Sequence, residues 1–102
     1  MNRGDVWLTE VGRKRRPVVV LTRSEVLDVR ALVTVAEVTT TERGLAVEVD
    51  VDQVQAGLEH PSVVNCDGIH TVTRTSLTTH VGRLDDETLR RVCSAVSYAL
   101  GC

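Results

Sequence analysis

The feature that most limits the fold of this sequence is its repeated alternation of short β-branched runs with turn signals. The predicted strands span residues 3–11, 17–22, 31–39, 45–50, 61–66, 69–73 and 79–81. No series of crossover helices separates them, and residues 24–30 predict only one or two helical turns. Strands without crossover helices pair antiparallel, so we expect a mainly β protein, built as a partly closed antiparallel barrel.

The end of the chain has a different periodicity and predicts a single helix. Apolar residues recur at helical spacing from Leu89 onward. Asp85 is the expected N-cap, Leu84 and Leu89 have the spacing of a hydrophobic staple, and Gly101 is the expected stop. We therefore expect one C-terminal helix that packs on the barrel.

Size and charge exclude several classes of protein. A chain of 102 residues is expected to form one domain, residues 1–102, and its net charge of -2 means that any nucleic-acid binding must arise locally. Trp7 and Tyr98 are too few for a stacking platform that reads bases. No leader or membrane span is evident, and Cys66, Cys93 and Cys102 have no metal-like spacing. We expect a cytoplasmic protein with reduced thiols.

The common catalytic and metal-binding motifs do not occur in the sequence. It contains no Gly-rich phosphate loop, HExxH, paired CxxC or nucleophile elbow. His60, His70 and His80 recur every ten residues, which is not a ligand spacing on one helix. We therefore expect neither a metal site nor a cofactor.

Two strand ends offer groups that suit a phosphate. Arg16 precedes Pro17, which biases the arginine backbone toward an extended conformation, and its guanidinium is a rigid fork of donors. Thr39 ends a predicted strand and brings a hydroxyl donor. The two side chains could form a phosphoryl-transfer site without a metal. The residues alone nevertheless favour a simpler interpretation, in which 13–16 is a solvated loop and 39–41 a turn.

Several segments in register shift this balance, because together they resemble the MazF/PemK family of toxin endoribonucleases. The segments are RGDVW (3–7), RPVVVL (16–21), VAEVT (35–39), PSVV (61–64) with DGIHT (67–71), and GRLDDE (82–87). Each is weak alone, but they cover nearly the whole chain in the family's order.

The resemblance implies an SH3-like or CcdB-like barrel, a homodimer, metal-independent cleavage of single-stranded RNA, and a cognate antitoxin. It assigns catalysis to Arg16 and Thr39. The residues expected to bind RNA are Arg13, Lys14, Arg15, Thr40, Thr41, Ser62 and His70. The general base stays open between His70 and a bound water.

Two departures from the family pattern leave the RNA target open. The segment before Arg16 is short and lacks the acidic residue of many relatives, and Gly68 stands where relatives commonly have glutamine. The recognition sequence is therefore not predicted, and tRNA or rRNA remains a target beside mRNA.

The alternative hypothesis is a non-enzymatic CcdB-like toxin that binds a protein such as gyrase. Retention of both Arg16 and Thr39 favours the enzyme.

Overall fold

A single six-stranded antiparallel sheet carries the fold in the computed structural model, which describes residues 1–11 and 14–102. The strands are β1 Asp5–Val11, β2 Lys14–Val20, β3 Leu32–Thr39, β4 Glu48–Asp50, β5 Val63–Thr73 and β6 Leu77–Arg83. Two 3-10 helices, Ser24–Val26 and Arg74–Ser76, lie in connections, and the helix α1 spans Asp86–Leu100. The order across the sheet is β4-β5-β3-β2-β1-β6, so the chain forms the predicted antiparallel architecture.

The two edge strands approach each other without pairing. Within the described residues no ladder joins β4 to β6. The connection after β4 lies against β6, where the N–H of Arg83 donates to the carbonyl of Gln55 at 3.3 Å. The barrel is therefore partly closed, as the sequence predicts, and the connection bridges its open seam.

The sheet buries apolar residues on both faces. Side chains alternate along a strand, so Val6, Val19 and Val38 share the face that packs on α1, which we call the helix face. Val18 and Val35 share the opposite face with Trp7, which we call the Trp7 face. Burial on both sides explains why β2 has no polar residue after Arg16.

Several of the predicted strand boundaries are wrong, and four differences are the largest. The strand that starts at Pro17 in the prediction begins at Lys14, because residues 14–16 pair with the end of β1. Part of the predicted basic loop is therefore strand. The predicted strands 61–66 and 69–73 are one strand, β5, with an irregularity opposite Ala36 and Glu37 of β3. The predicted strand 45–50 shortens to Glu48–Asp50, and 79–81 lengthens to Leu77–Arg83.

The C-terminal helix is confirmed together with its two ends. The Asp85 carboxylate accepts the N–H of Thr88 at 2.7 Å, and Gly101 ends the helix in the left-handed conformation with φ of 74°. Leu84 is buried and Leu89 packs against the same cluster, as a staple requires. No helix in the described part of the chain is long and apolar enough to cross a membrane.

Candidate active site

Arg16 lies near the start of β2 and is held by the neighbouring strand. It pairs with Thr9 of β1, and Pro17 beside it pairs with Leu8. Alternation along β2 puts the Arg16 side chain on the Trp7 face with Val18, and the residue is half-buried. Among the described residues it makes no ion pair. A half-buried guanidinium without a carboxylate partner is well suited to receive an anion.

Thr39 is the last residue of β3 and lies on the same face. It pairs with Val63 of β5, and its hydroxyl oxygen accepts the backbone N–H of Thr41 at 3.1 Å. The hydroxyl proton is not used in that bond, so Thr39 can donate it to an oxygen outside the protein. The turn thus orients the side chain and leaves its donor available.

The register between β2 and β3 relates the two predicted catalytic residues. The ladder runs from Val20 opposite Val35 to Val18 opposite Glu37. The ladder ends at the pair of Val18 and Glu37. Arg16 and Thr39 each lie two residues beyond that pair, on neighbouring strands and on the same face of the sheet.

The predicted RNA-binding residues divide between the two faces at this end of the sheet. A pocket of about 390 Å³ opens on the helix face, with Leu8 and Pro17 in its wall. Arg15, Thr40 and Ser62 line it. These three residues therefore lie together, but across the sheet from the side chains of Arg16 and Thr39.

The remaining predicted binding residues lie on the Trp7 face or near it. Lys14 is exposed and alternates in phase with Arg16. Thr41 is exposed two residues after Thr39, and its N–H already binds the Thr39 hydroxyl. Arg13 lies outside the described residues.

His70 is on the Trp7 face but further along the sheet. It lies on β5 opposite Val35, four residues before Thr39 on β3. Its Nε2 atom is buried and 3.0 Å from Oε1 of Glu37. The histidine therefore contacts a carboxylate, but its Nε2 atom makes no hydrogen bond within the described residues.

The sequence analysis missed Glu37 as a candidate site residue. It lies between two buried residues, Ala36 and Val38, and its side chain is 23% exposed. The signal was present, since Glu37 is two residues before Thr39 and strand alternation puts both on one face. A carboxylate thus lies beside the predicted catalytic pair.

His80 contacts other side chains of the fold, whereas His60 lines the pocket on the helix face. His80 stacks on Trp7 with ring centroids 5.2 Å apart, and its Nε2 is 3.8 Å from the Asp5 carboxylate. The carbonyl of His60 accepts the Ser62 hydroxyl at 2.9 Å. In residues 1–11 and 14–102 no three side chains of His, Cys, Asp or Glu are grouped to hold a metal.

The fold and these side chains define a class of protein: a small, partly closed antiparallel barrel with a half-buried arginine and a strand-end threonine on one face. Residues 2–100 match the family model for the PemK-like, MazF-like toxin of type II toxin-antitoxin systems. The chain belongs to this family.

Individual relatives agree with the family match. The chain is 36% identical over 102 residues to the probable endoribonuclease MazF2 of Mycobacterium tuberculosis, with 100% of both chains covered. The structure of Mycobacterium tuberculosis toxin MazF-mt6 is 39% identical, with a TM-score of 0.88 over 95% of this chain and 96% of that one. A mycobacterial endoribonuclease solved in complex with its cognate antitoxin has the same fold, with a TM-score of 0.89 over 99% of this chain and 95% of that one, at 24% identity. The expected fold and family are confirmed, and the gyrase-binding alternative is not favoured.

Proposed function

We propose that this toxin is a metal-independent endoribonuclease that cleaves single-stranded RNA, with Arg16 and Thr39 as its catalytic residues. One observation carries the proposal: the half-buried Arg16 guanidinium has no ion pair among the described residues and shares a face and a strand end with Thr39. The relatives support the same activity, because one that matches this chain over the full length of both is named a probable endoribonuclease.

The chemistry requires a nucleophile that RNA supplies itself. The ribose 2′-oxygen attacks the adjacent phosphorus, the bond to the 5′-oxygen breaks, and the products are a cyclic phosphate and a free 5′-hydroxyl. DNA lacks the 2′-hydroxyl and should survive. Arg16 would stabilise the charge that develops on the phosphorane oxygens, and Thr39 would donate a second hydrogen bond. Neither role needs a change in protonation of Arg16.

Binding of the RNA would extend beyond the cleaved linkage. Lys14 lies in phase with Arg16 and suits a neighbouring phosphate, while Thr41 and His70 lie along the same face. Arg15, with Thr40 and Ser62, lines the pocket on the helix face, where a flanking nucleotide could turn around the strand ends. The RNA would therefore follow a path from the Trp7 face to the helix face around the ends of β2 and β3.

The family assignment extends the proposal to partners and location. We propose a single domain, residues 1–102, that forms a homodimer in the cytoplasm. A cognate antitoxin neutralises it, because the family consists of toxins of type II toxin-antitoxin systems. Released from the antitoxin, the toxin would inhibit translation and growth by cutting mRNA, tRNA or rRNA. Mapping the cut sites on total RNA would identify the target and the recognition sequence.

The decisive experiment is cleavage of a labelled panel of single-stranded RNAs in EDTA. Wild type should cut, and Arg16→Ala and Thr39→Val should each lose about 10²–10³-fold in rate, or about 3–4 kcal/mol of transition-state stabilisation. Arg30→Ala and Thr73→Val are matched controls, since both residues are exposed and lie near the start of β3, at the opposite end of that strand from Thr39. Full activity in Arg16→Ala would refute the proposed centre, and absence of any cleavage by wild type would refute the enzyme.

A further inference from the structure

Glu37 has the position of a proton acceptor for the proposed reaction. It lies on the Trp7 face of β3, two residues before Thr39, or about 6.5 Å along the strand at some 3.3 Å per residue. Its cross-strand partner on β2 is Val18, two residues from Arg16 on the same face. Glu37 is therefore on the same face as both proposed catalytic residues, two strand positions from each of them.

The side chains around Glu37 limit where its carboxylate can lie. His70 Nε2 is 3.0 Å from Oε1, without the geometry of a hydrogen bond. Gly68, in the irregular part of β5 beside the pair of Glu37 and Asn65, leaves the space that the carboxylate fills, because a Cβ at that position would overlap Oε2 of Glu37 and lie 3.1 Å from Nδ2 of Asn65. Arg16 makes no ion pair with Glu37. The side chain stays 23% exposed, so a substrate can reach it.

We propose that Glu37 is the general base of the cleavage reaction and that His70 is a positioning residue that orients its carboxylate. This inference rests on the proposed ribonuclease function. Glu37 takes the proton of the ribose 2′-hydroxyl as the 2′-oxygen forms its bond to phosphorus. The bond from phosphorus to the 5′-oxygen breaks, and the leaving oxygen takes a proton from water. Glu37 then returns its proton to the solvent, which completes the balance.

The chemistry of the neighbours excludes the other assignments. Arg16 cannot be the base, because a guanidinium stays protonated at any working pH. His70 lies four residues from Thr39 along the sheet, opposite Val35, and its buried Nε2 points to Glu37. The charged or titratable groups that face Glu37 are thus His70 from β5 and Arg16 from β2.

The test compares single-turnover cleavage of one labelled RNA by wild type, Glu37→Gln, Glu37→Asp and His70→Gln across a pH series. A general base typically contributes 10²–10⁴-fold, and Glu37→Gln should lose a factor in that range. It should also lose the fall in rate at acid pH that wild type shows, since glutamine has no proton to gain. Glu37→Asp should still lose rate at acid pH, but its maximal rate should be lower than that of wild type. His70→Gln should also lose rate at acid pH, with a maximal rate reduced by less than about tenfold.

Binding and control measurements separate a base from a structural residue. The same RNA with a 2′-deoxy residue at the cut site cannot be cleaved and reports binding alone. The affinity of Glu37→Gln for this RNA should be within about threefold of the affinity of wild type. Glu25→Gln, an exposed carboxylate in the first 3-10 helix, should leave rate and pH profile unchanged.

Three outcomes would overturn the inference. Wild-type cleavage with Glu37→Gln active within threefold and an unchanged pH profile would reject Glu37 alone. A missing acid limb in His70→Gln, with the limb retained in Glu37→Gln, would assign the base to His70. No cleavage by wild type on any RNA would reject the proposed function and this inference with it.

Discussion

The Gly57→Ala substitution should destabilise the fold strongly, because Gly57 closes the barrel seam. Gly57 has φ of +73°, and a Cβ there would overlap the carbonyl oxygen of Val81 and lie 2.6 Å from its carbonyl carbon. Val81 belongs to the edge strand β6 and lies at an irregularity of its ladder with β1, between His80 and Gly82, which are both paired with β1. The connection after β4 would have to lift away from that edge.

Gly44→Ala is the matched control that isolates this close approach. Gly44 has nearly the same backbone conformation, with φ of +70°, but a Cβ there would meet nothing within 4 Å. The left-handed conformation costs a non-glycine residue about 1–2 kcal/mol, partly offset by the lower entropy of the unfolded chain. Gly44→Ala should therefore cost about 1 kcal/mol. Gly57→Ala adds overpacking at the upper end of the usual range, about 2–3 kcal/mol, because the overlap is with backbone atoms, and it should cost about 3–4 kcal/mol in total.

Thermal and urea unfolding followed by circular dichroism and Trp7 fluorescence can measure the difference. At about 4–8 °C per kcal/mol for a domain of this size, Gly44→Ala should lower Tm by about 5 °C and Gly57→Ala by about 15–25 °C. If the free energies of unfolding of the two variants agree within 1 kcal/mol, the close approach of Gly57 to β6 does not contribute to stability as predicted.

Three further predictions concern the core, the substrate path and the helix. Burial raises the pKa of the Cys66 thiol from 9.0 to about 11, so the unfolded chain loses this proton first as pH rises. The free energy of unfolding should fall by about 2–3 kcal/mol between pH 9 and 11 in urea titrations, and Cys66→Ala should lack that part of the fall. The slope of log K against log salt for a non-cleavable RNA should become shallower by about 1.4 in a Lys14→Ala, Arg15→Ala double variant; an unchanged slope would remove both from the path. Asp85→Ala should lower Tm at neutral pH but lose its effect in acid, because the hydrogen bond from Thr88 lowers the pKa of the Asp85 carboxyl, and equal losses of Tm at pH 7 and pH 2 would contradict the cap.

Periodicity was sufficient to predict the architecture but not the strand boundaries. Alternation along β3 and helical spacing in α1 are both set by burial, which is a local property of the sequence. The extension of β2 back to Lys14 depends instead on pairing with the end of β1, and an exposed basic segment carries no local signal for that. The union of two predicted strands into β5 likewise depends on β3 pairing with both halves across the irregularity.

The candidate site was only partly predictable for a related reason. Arg16 and Thr39 are recognisable from their positions beside a proline and at a strand end, but the register that relates them is a tertiary property. Glu37 is a polar residue within an apolar strand, and no motif marks it. Its role follows from neighbours that are distant in sequence, His70 and Gly68, which only the fold brings to it.

Pro17 explains why the cation at the start of β2 is both fixed and available. β1 pairs with residues 14–19 of β2, whereas the ladder between β2 and β3 ends at Val18, directly after the proline. Proline has no N–H to donate to a ladder, so β-pairing is weakened where β2 passes it. The backbone of Arg16 is therefore paired with β1 on one side, whereas on the other side, toward Thr39, the ladder with β3 has already ended. A rigid backbone limits the entropy that the guanidinium loses when it binds an anion.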